Sequence, residues 1–131
     1  MKIALDTNAY SSLQIGNVPT LKNIVDEVEE IILPFIVVAE LKAGFHKGQK
    51  KVDNYKKLEK FIGMDRVQLL WADDLTNELY ARIWSDLSKL GKPIPTNDIW
   101  IAAVCVQHQL VLATNDIHFS NISLLQTVNF E

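Results

Sequence analysis

The chain has 131 residues, of which 48% are hydrophobic and 22% charged. That fits one globular domain over residues 1–131 and excludes a disordered chain. A net charge of −3 excludes a uniformly basic nucleic-acid binder, although a local phosphate-attracting face can coexist with an acidic total. Cys105 is the only cysteine, so no intrachain disulfide forms. The apolar run before Asp6 is too short for a signal-peptide core, and no run approaches the length of a bilayer span. A cytoplasmic protein with no membrane association is expected.

Taken in chain order, residues 2–5 read as a short buried strand, and residues 7–14 as a helix ended by Gly16 and Asn17. Pro19 opens a second helix carrying Leu21, Ile24, Val25 and Val28 at helical spacing. Residues 31–33 form a second strand closed by Pro34. Residues 35–48 read as a helix whose apolar face, Ile36, Val37, Leu41 and Gly44, also includes Glu40. An amphipathic, lysine-rich helix follows at 52–62, then a strand at 67–71. Asp73 or Asp74 caps a long helix with Leu75, Leu79, Ile83, Leu87 and Leu90 on one side, ended by Gly91. Pro93 and Pro95 flank the turn into a helix opened by Asp98. A strand at 110–113, a loop, and an edge strand at 127–130 complete the chain. Alternating strands and helices predict a parallel α/β sheet covered on both faces. Trp71, Trp84 and Trp100 sit within apolar patterns and are expected in the core.

Four acids stand beside apolar segments: Asp6 after the first strand, Glu40 within its helix, Asp98 at a helix start, and Asp116 after the strand at 110–113. A carboxylate drawn into apolar surroundings must be paired, protonated or metal-bound, because bare desolvation is too costly. Each has a local excuse: Asp6 as a helix cap, Asp98 beside a helix dipole, Asp116 in a turn. Glu40 is the hardest to excuse, since it projects from the apolar face and would need an unseen Lys or Arg. Two carboxylates about 5 Å apart repel by about 3 kcal/mol at an effective dielectric of 20. A cluster therefore calls for a cation, and oxygen ligands favour Mg²⁺ or Mn²⁺ over zinc. His46, His108 and His118 lack zinc-like spacing and read as surface residues or as residues that orient ligands.

Between Lys42 and Lys60, seven lysines against Asp53 and Glu59 leave a local charge of +5. Lys42, Lys47, Lys50 and Lys51 are the candidate phosphate contacts; the alternative is a solvated helical hairpin.

At these residues the chain resembles the PIN-domain nucleases, in particular the VapC-type toxins of bacterial toxin–antitoxin pairs. The matching pieces are Leu5-Asp6-Thr7-Asn8, Val38-Ala39-Glu40-Leu41, the segment from Pro93 to Ala103 around Asn97-Asp98, and Leu112-Ala113-Thr114-Asn115-Asp116. They occur in the family's order across almost the whole chain. The resemblance implies a three-layer α/β/α fold with a central parallel sheet and a Mg²⁺- or Mn²⁺-dependent endoribonuclease. It makes Asp6, Glu40 and Asp98 metal ligands, with Asp116 ligating directly or through water and Asn8 and Thr114 orienting waters or carboxylates. It also implies an RNA substrate, a homodimer, and a cognate antitoxin lying on an apolar groove for which Phe45, Leu58, Phe61 and Ile62 are candidates, ordinary core packing being the favoured alternative for any one of them. Pro95, where the family more often has glycine, stiffens the approach to Asp98.

Other readings are a PIN-like interaction module that holds metal without cutting, and a nuclease directed at DNA. A phosphoacceptor receiver domain needs paired acids at the first strand and a lysine after a late one, whereas Asp6 stands alone and no lysine follows Ala113. A phosphatase with an aspartyl nucleophile needs an Asp-x-Asp motif, which Asp6-Thr7-Asn8 does not supply.

Overall fold

The computed structural model describes residues 1–131, with strands β1 (Lys2–Leu5), β2 (Glu30–Pro34), β3 (Val67–Leu70), β4 (Val111–Ala113) and β5 (Gln126–Val128). Between them run helices α1 (Thr7–Ile15), α2 (Pro19–Glu27), α3 (Phe35–Lys47), α4 (Lys51–Ile62), α5 (Asp74–Lys89) and α6 (Thr96–Gln107). All strand pairs are parallel, in the order β3-β2-β1-β4-β5. Right-handed crossovers place α1 to α4 on one face of the sheet and α5 and α6 on the other. This is the three-layer α/β/α arrangement predicted from the alternating pattern.

Local chemistry sets the element ends. The Asp6 side chain caps α1, and Gly16 ends it with φ +78°, a conformation glycine adopts without a Cβ penalty. Pro19 occupies the first turn of α2. Asp73 and Thr76 form a reciprocal capping box at the start of α5. The core gathers on β1, where Ile3, Ala4 and Leu5 are fully buried, and on α6, where Ile99 and Ile101 to Cys105 are buried. Burial pushes the Cys105 thiol far above its usual range, so it stays protonated and inert.

The strand order positions the site. From β1 the chain moves outward through β2 to β3, then returns past β1 to place β4 on its other side. The carboxyl ends of β1 and β4 therefore flank the point where strand order reverses, the place where open α/β sheets bind ligands.

Several expectations change. Trp71 is 68% exposed and Trp84 54% exposed, so neither is core. Trp100 is half-buried and packs on Phe35 and Tyr80. Leu75 and Leu90 are exposed although their spacing fits the buried stripe of α5. The cause is a length mismatch: α5 has 16 residues and its neighbour α6 has 12. Thr76 already meets Gln107, the last residue of α6, so Leu75 lies beyond the helix that would cover it. Gly44 is exposed, and Val38 joins Val37 and Leu41 on the buried face of α3. Of the four groove candidates, Leu58 and Phe61 are core residues beneath α4, the favoured alternative, with Phe61 edge-on to Tyr10. The loop after β4 contains a 3₁₀ turn, Ile117–Asn121, pinned by buried Phe119. No helix is long and apolar enough to cross a membrane.

Candidate active site

Asp6 is the first residue beyond β1 and is only 5% exposed. Its Oδ1 accepts from the Ala9 N–H at 2.8 Å, so its capping role and its place in the site coexist. Glu40 lies half-buried on α3, one and a half turns from the end of β2. It has no cationic partner. Instead Thr7 donates its hydroxyl to Oε1 at 2.7 Å, and Asn97 donates its amide to Oε2 at 3.3 Å. Asp98 lies within the first turn of α6, which begins two residues earlier than expected, at Thr96. Asp116 follows β4; its N–H donates to the Thr114 hydroxyl at 3.0 Å, and its Oδ1 accepts from the His118 N–H at 2.9 Å.

These elements bring Asp6, Glu40, Asp98 and Asp116 to one cavity of about 190 Å³, also lined by Thr7, Asn8, Ile101 and Phe119. No lysine or arginine lines it. The α1 and α6 N-termini offer partial positive charge to Asp6 and Asp98, only a fraction of what four acids carry. Burial, the largest cause, raises the Asp6 carboxyl above its ordinary value; hydrogen bonds from Thr114 and Ala9 oppose it, and repulsion from Asp116 and Glu40 adds to it. Burial likewise raises Asp98 against a hydrogen bond from His118, with repulsion from Asp116 and Glu40 contributing. The site holds more negative charge than the protein neutralises, and its donors suit a divalent cation.

Of the two residues that the resemblance gives orienting roles, Asn8 lies at the cavity wall and Thr114 is buried beside Asp6 and Asp116. Sequence reasoning missed Thr7 and Asn97, each the chain neighbour of an acid. It also left His118 among the surface or orienting histidines, yet His118 Nδ1 lies 3.2 Å from Asp98 Oδ2 and 3.3 Å from Asp116 Oδ1. The available signal was the Asp116-x-His118 spacing after a strand, since an aspartate that accepts from the N–H two residues on turns that residue back toward itself. Lys42, Lys47, Lys50 and Lys51 are exposed and none lines the cavity; Lys42 lies 5.8 Å above the Tyr55 ring.

The family model described as PIN domain matches residues 3–125. The chain belongs to the PIN-domain family. This PIN domain is 28% identical over 126 residues to Ribonuclease VapC1 of Haemophilus influenzae, spanning 93% of this chain and 92% of the relative. It is 36% identical over 93 residues to Toxin FitB of Neisseria gonorrhoeae, spanning 68% and 67% of the two chains. In three dimensions it superposes on a chain of the crystal structure of VapBC2 from Rickettsia felis bound to a DNA fragment from their promoter, with TM-score 0.89, 27% identity and full coverage of both chains. PIN-domain nucleases are generally dependent on divalent metal, and the acidic cluster of this PIN domain fits that requirement.

Proposed function

We propose that this PIN domain is an endoribonuclease that uses Mg²⁺ or Mn²⁺ to hydrolyse RNA phosphodiester bonds, and that it is the toxin of a toxin–antitoxin pair. The observation that carries the reading is the convergence of Asp6, Glu40, Asp98 and Asp116 on one cavity at the switch point of a parallel sheet, with no lysine or arginine lining it. The relatives named as ribonuclease and toxin support the activity and the role.

Asp6, Glu40, Asp98 and Asp116 are the residues that would hold the ion. When bound, it supplies Lewis acidity, offsetting charge on the phosphate and lowering the pKa of water. Asp98 or Asp116 accepts the proton of the attacking water and aims its lone pair. Thr7 and Asn97 fix the Glu40 carboxylate, and Thr114 fixes the Asp116 backbone, so the acids need not reorganise during the reaction. Asn8 offers an amide to the substrate phosphate or to a water at the cavity mouth. In-line attack by water leaves 5′-phosphate and 3′-hydroxyl ends. Lys42, Lys47, Lys50 and Lys51 attract the RNA backbone from outside the cavity.

The partners belong to the same reading: a cognate antitoxin that blocks the site, and a second copy of the chain. Phe45, the groove residue that does line an open cleft, shares a cavity of about 320 Å³ with Tyr10, Ile15 and Lys57, which supports an antitoxin segment seated between α1 and α4. On this reading the enzyme works in the cytoplasm, where RNA is available; a single free, buried cysteine is compatible with that reducing compartment.

The test is cleavage of total RNA by the purified chain with Mn²⁺, with EDTA, and by Asp98→Asn, followed by mapping of the new ends. Cleavage confined to wild type with metal, leaving 5′-phosphates, supports the reading. Equal cleavage by the variant, or 2′,3′-cyclic phosphate ends, would refute it.

A further inference from the structure

We propose that His118 is a direct nitrogen ligand of the divalent ion, and that this ligand makes the cavity prefer Mn²⁺ to Mg²⁺. The inference rests on the reading of the acidic cavity as a metal site and goes beyond it by adding a side chain and choosing the ion. Asp98, Asp116 and His118 are the one group of three metal-competent side chains in the molecule whose donor atoms all lie within 4.8 Å of one another. Asp6 and Glu40 line the same cavity outside that tightest set.

The spacing is that of a coordination shell. Neighbouring ligands on an octahedral ion with bonds of ~2.1 Å stand ~3.0 Å apart. His118 Nδ1 is 3.2 Å from Asp98 Oδ2 and 3.3 Å from Asp116 Oδ1, so a small relaxation seats an ion among the three. The backbone aims the ring. The His118 N–H is held at 2.9 Å by Asp116 Oδ1, the Ser120 hydroxyl closes the turn onto the Ile117 carbonyl at 2.6 Å, and Phe119, 2% exposed, anchors it in the core. The imidazole is thus carried by a 3₁₀ turn fastened to one carboxylate and faces the other.

Ligand chemistry then chooses the ion. Mg²⁺ is held by oxygen and sheds its waters reluctantly, whereas Mn²⁺ shares its preference for carboxylates but, as a first-row transition ion, also tolerates a nitrogen donor. A carboxylate-rich shell with one imidazole retains the hard character that Mn²⁺ accepts and adds a donor that Mg²⁺ uses poorly. His118→Gln keeps a polar side chain of similar reach and removes the imidazole. Because His118 is 45% exposed at its side chain, the variant is expected to fold.

The experiment is pulsed electron paramagnetic resonance of Mn²⁺ bound to the full chain, read for ¹⁴N modulation, together with competition titration of Mn²⁺ against Mg²⁺. Wild type should show modulation from one directly coordinated imidazole. His118→Gln should still bind Mn²⁺, lose the modulation, and lose about tenfold or more of its Mn²⁺-over-Mg²⁺ preference. Mn²⁺ bound to wild type without ¹⁴N modulation, or an unchanged preference in the variant, would overturn this inference and leave the metal site standing. No Mn²⁺ binding by folded wild type would overturn both.

Discussion

The Thr7 hydroxyl donates to Glu40 Oε1 at 2.7 Å, tying the first residue of α1 to a carboxylate 33 residues further on. Glu40 arrives from a different layer from Asp6, and this bond sets where its carboxylate points. Thr7→Val keeps the shape and removes the donor. The expected result is about a tenfold or greater loss of metal affinity, with a midpoint of thermal unfolding close to wild type. Calorimetric titration of Mn²⁺ beside a melting curve checks both.

The pH dependence follows from the raised carboxyls of Asp6 and Asp98. A carboxyl whose pKa is higher in the folded state binds more protons folded than unfolded, so its ionisation destabilises the fold as pH rises through the folded value. The metal-free protein should therefore gain stability from these groups as pH falls from neutrality toward their ordinary value of 3.8. Asp73 acts in the opposite sense: the Thr76 N–H holds its carboxyl low, and that stabilisation is lost only as pH falls below 3.8. Without metal, Asp98→Asn should be more stable than wild type near neutrality, with the difference shrinking on acidification. Adding Mn²⁺ should stabilise wild type far more than the variant. Melting curves across pH, with and without metal, decide it; a variant that is less stable at neutral pH and gains as much from Mn²⁺ would contradict the electrostatic account.

Charge reversal at Lys47, Lys50 and Lys51 tests the outer face. These exposed side chains lie away from the cavity, so Lys→Glu at all three should raise KM for RNA and flatten its salt dependence while leaving Mn²⁺ affinity unchanged. Kinetics at several salt concentrations measure it.

Thr76 is fully buried and bonds both Asp73 and Gln107, joining the start of α5 to the end of α6. Thr76→Val should cost about 1–3 kcal/mol, because Gln107 Oε1 and the Asp73 N–H lose their shared partner, the Thr76 hydroxyl. Denaturant unfolding should show the loss in midpoint at an unchanged slope.

The fold was legible because each layer announces itself locally. The runs at β1, β2 and β4 are too short and apolar for helices, Pro19 and Gly16 punctuate, and Asp73 caps. The acids were legible because Asp6 and Asp116 follow strands and Glu40 interrupts an apolar face. What escaped depends on tertiary fit. The exposure of Trp71 and Leu75 follows from where the chain leaves β3 and from α6 being shorter than α5, which no periodicity records. His118 escaped because its role comes from a turn that folds it onto Asp98, 20 residues away in sequence. The lysines show the reverse case: a clear charge cluster that lies outside the cavity.

The most direct measurement is the anomalous scattering of a Mn²⁺-soaked crystal. A peak within the cavity, bounded by Asp6, Glu40, Asp98 and Asp116, is the predicted result. Full occupancy of Mn²⁺ elsewhere, with these carboxylates bound only to water and protein, would contradict the account.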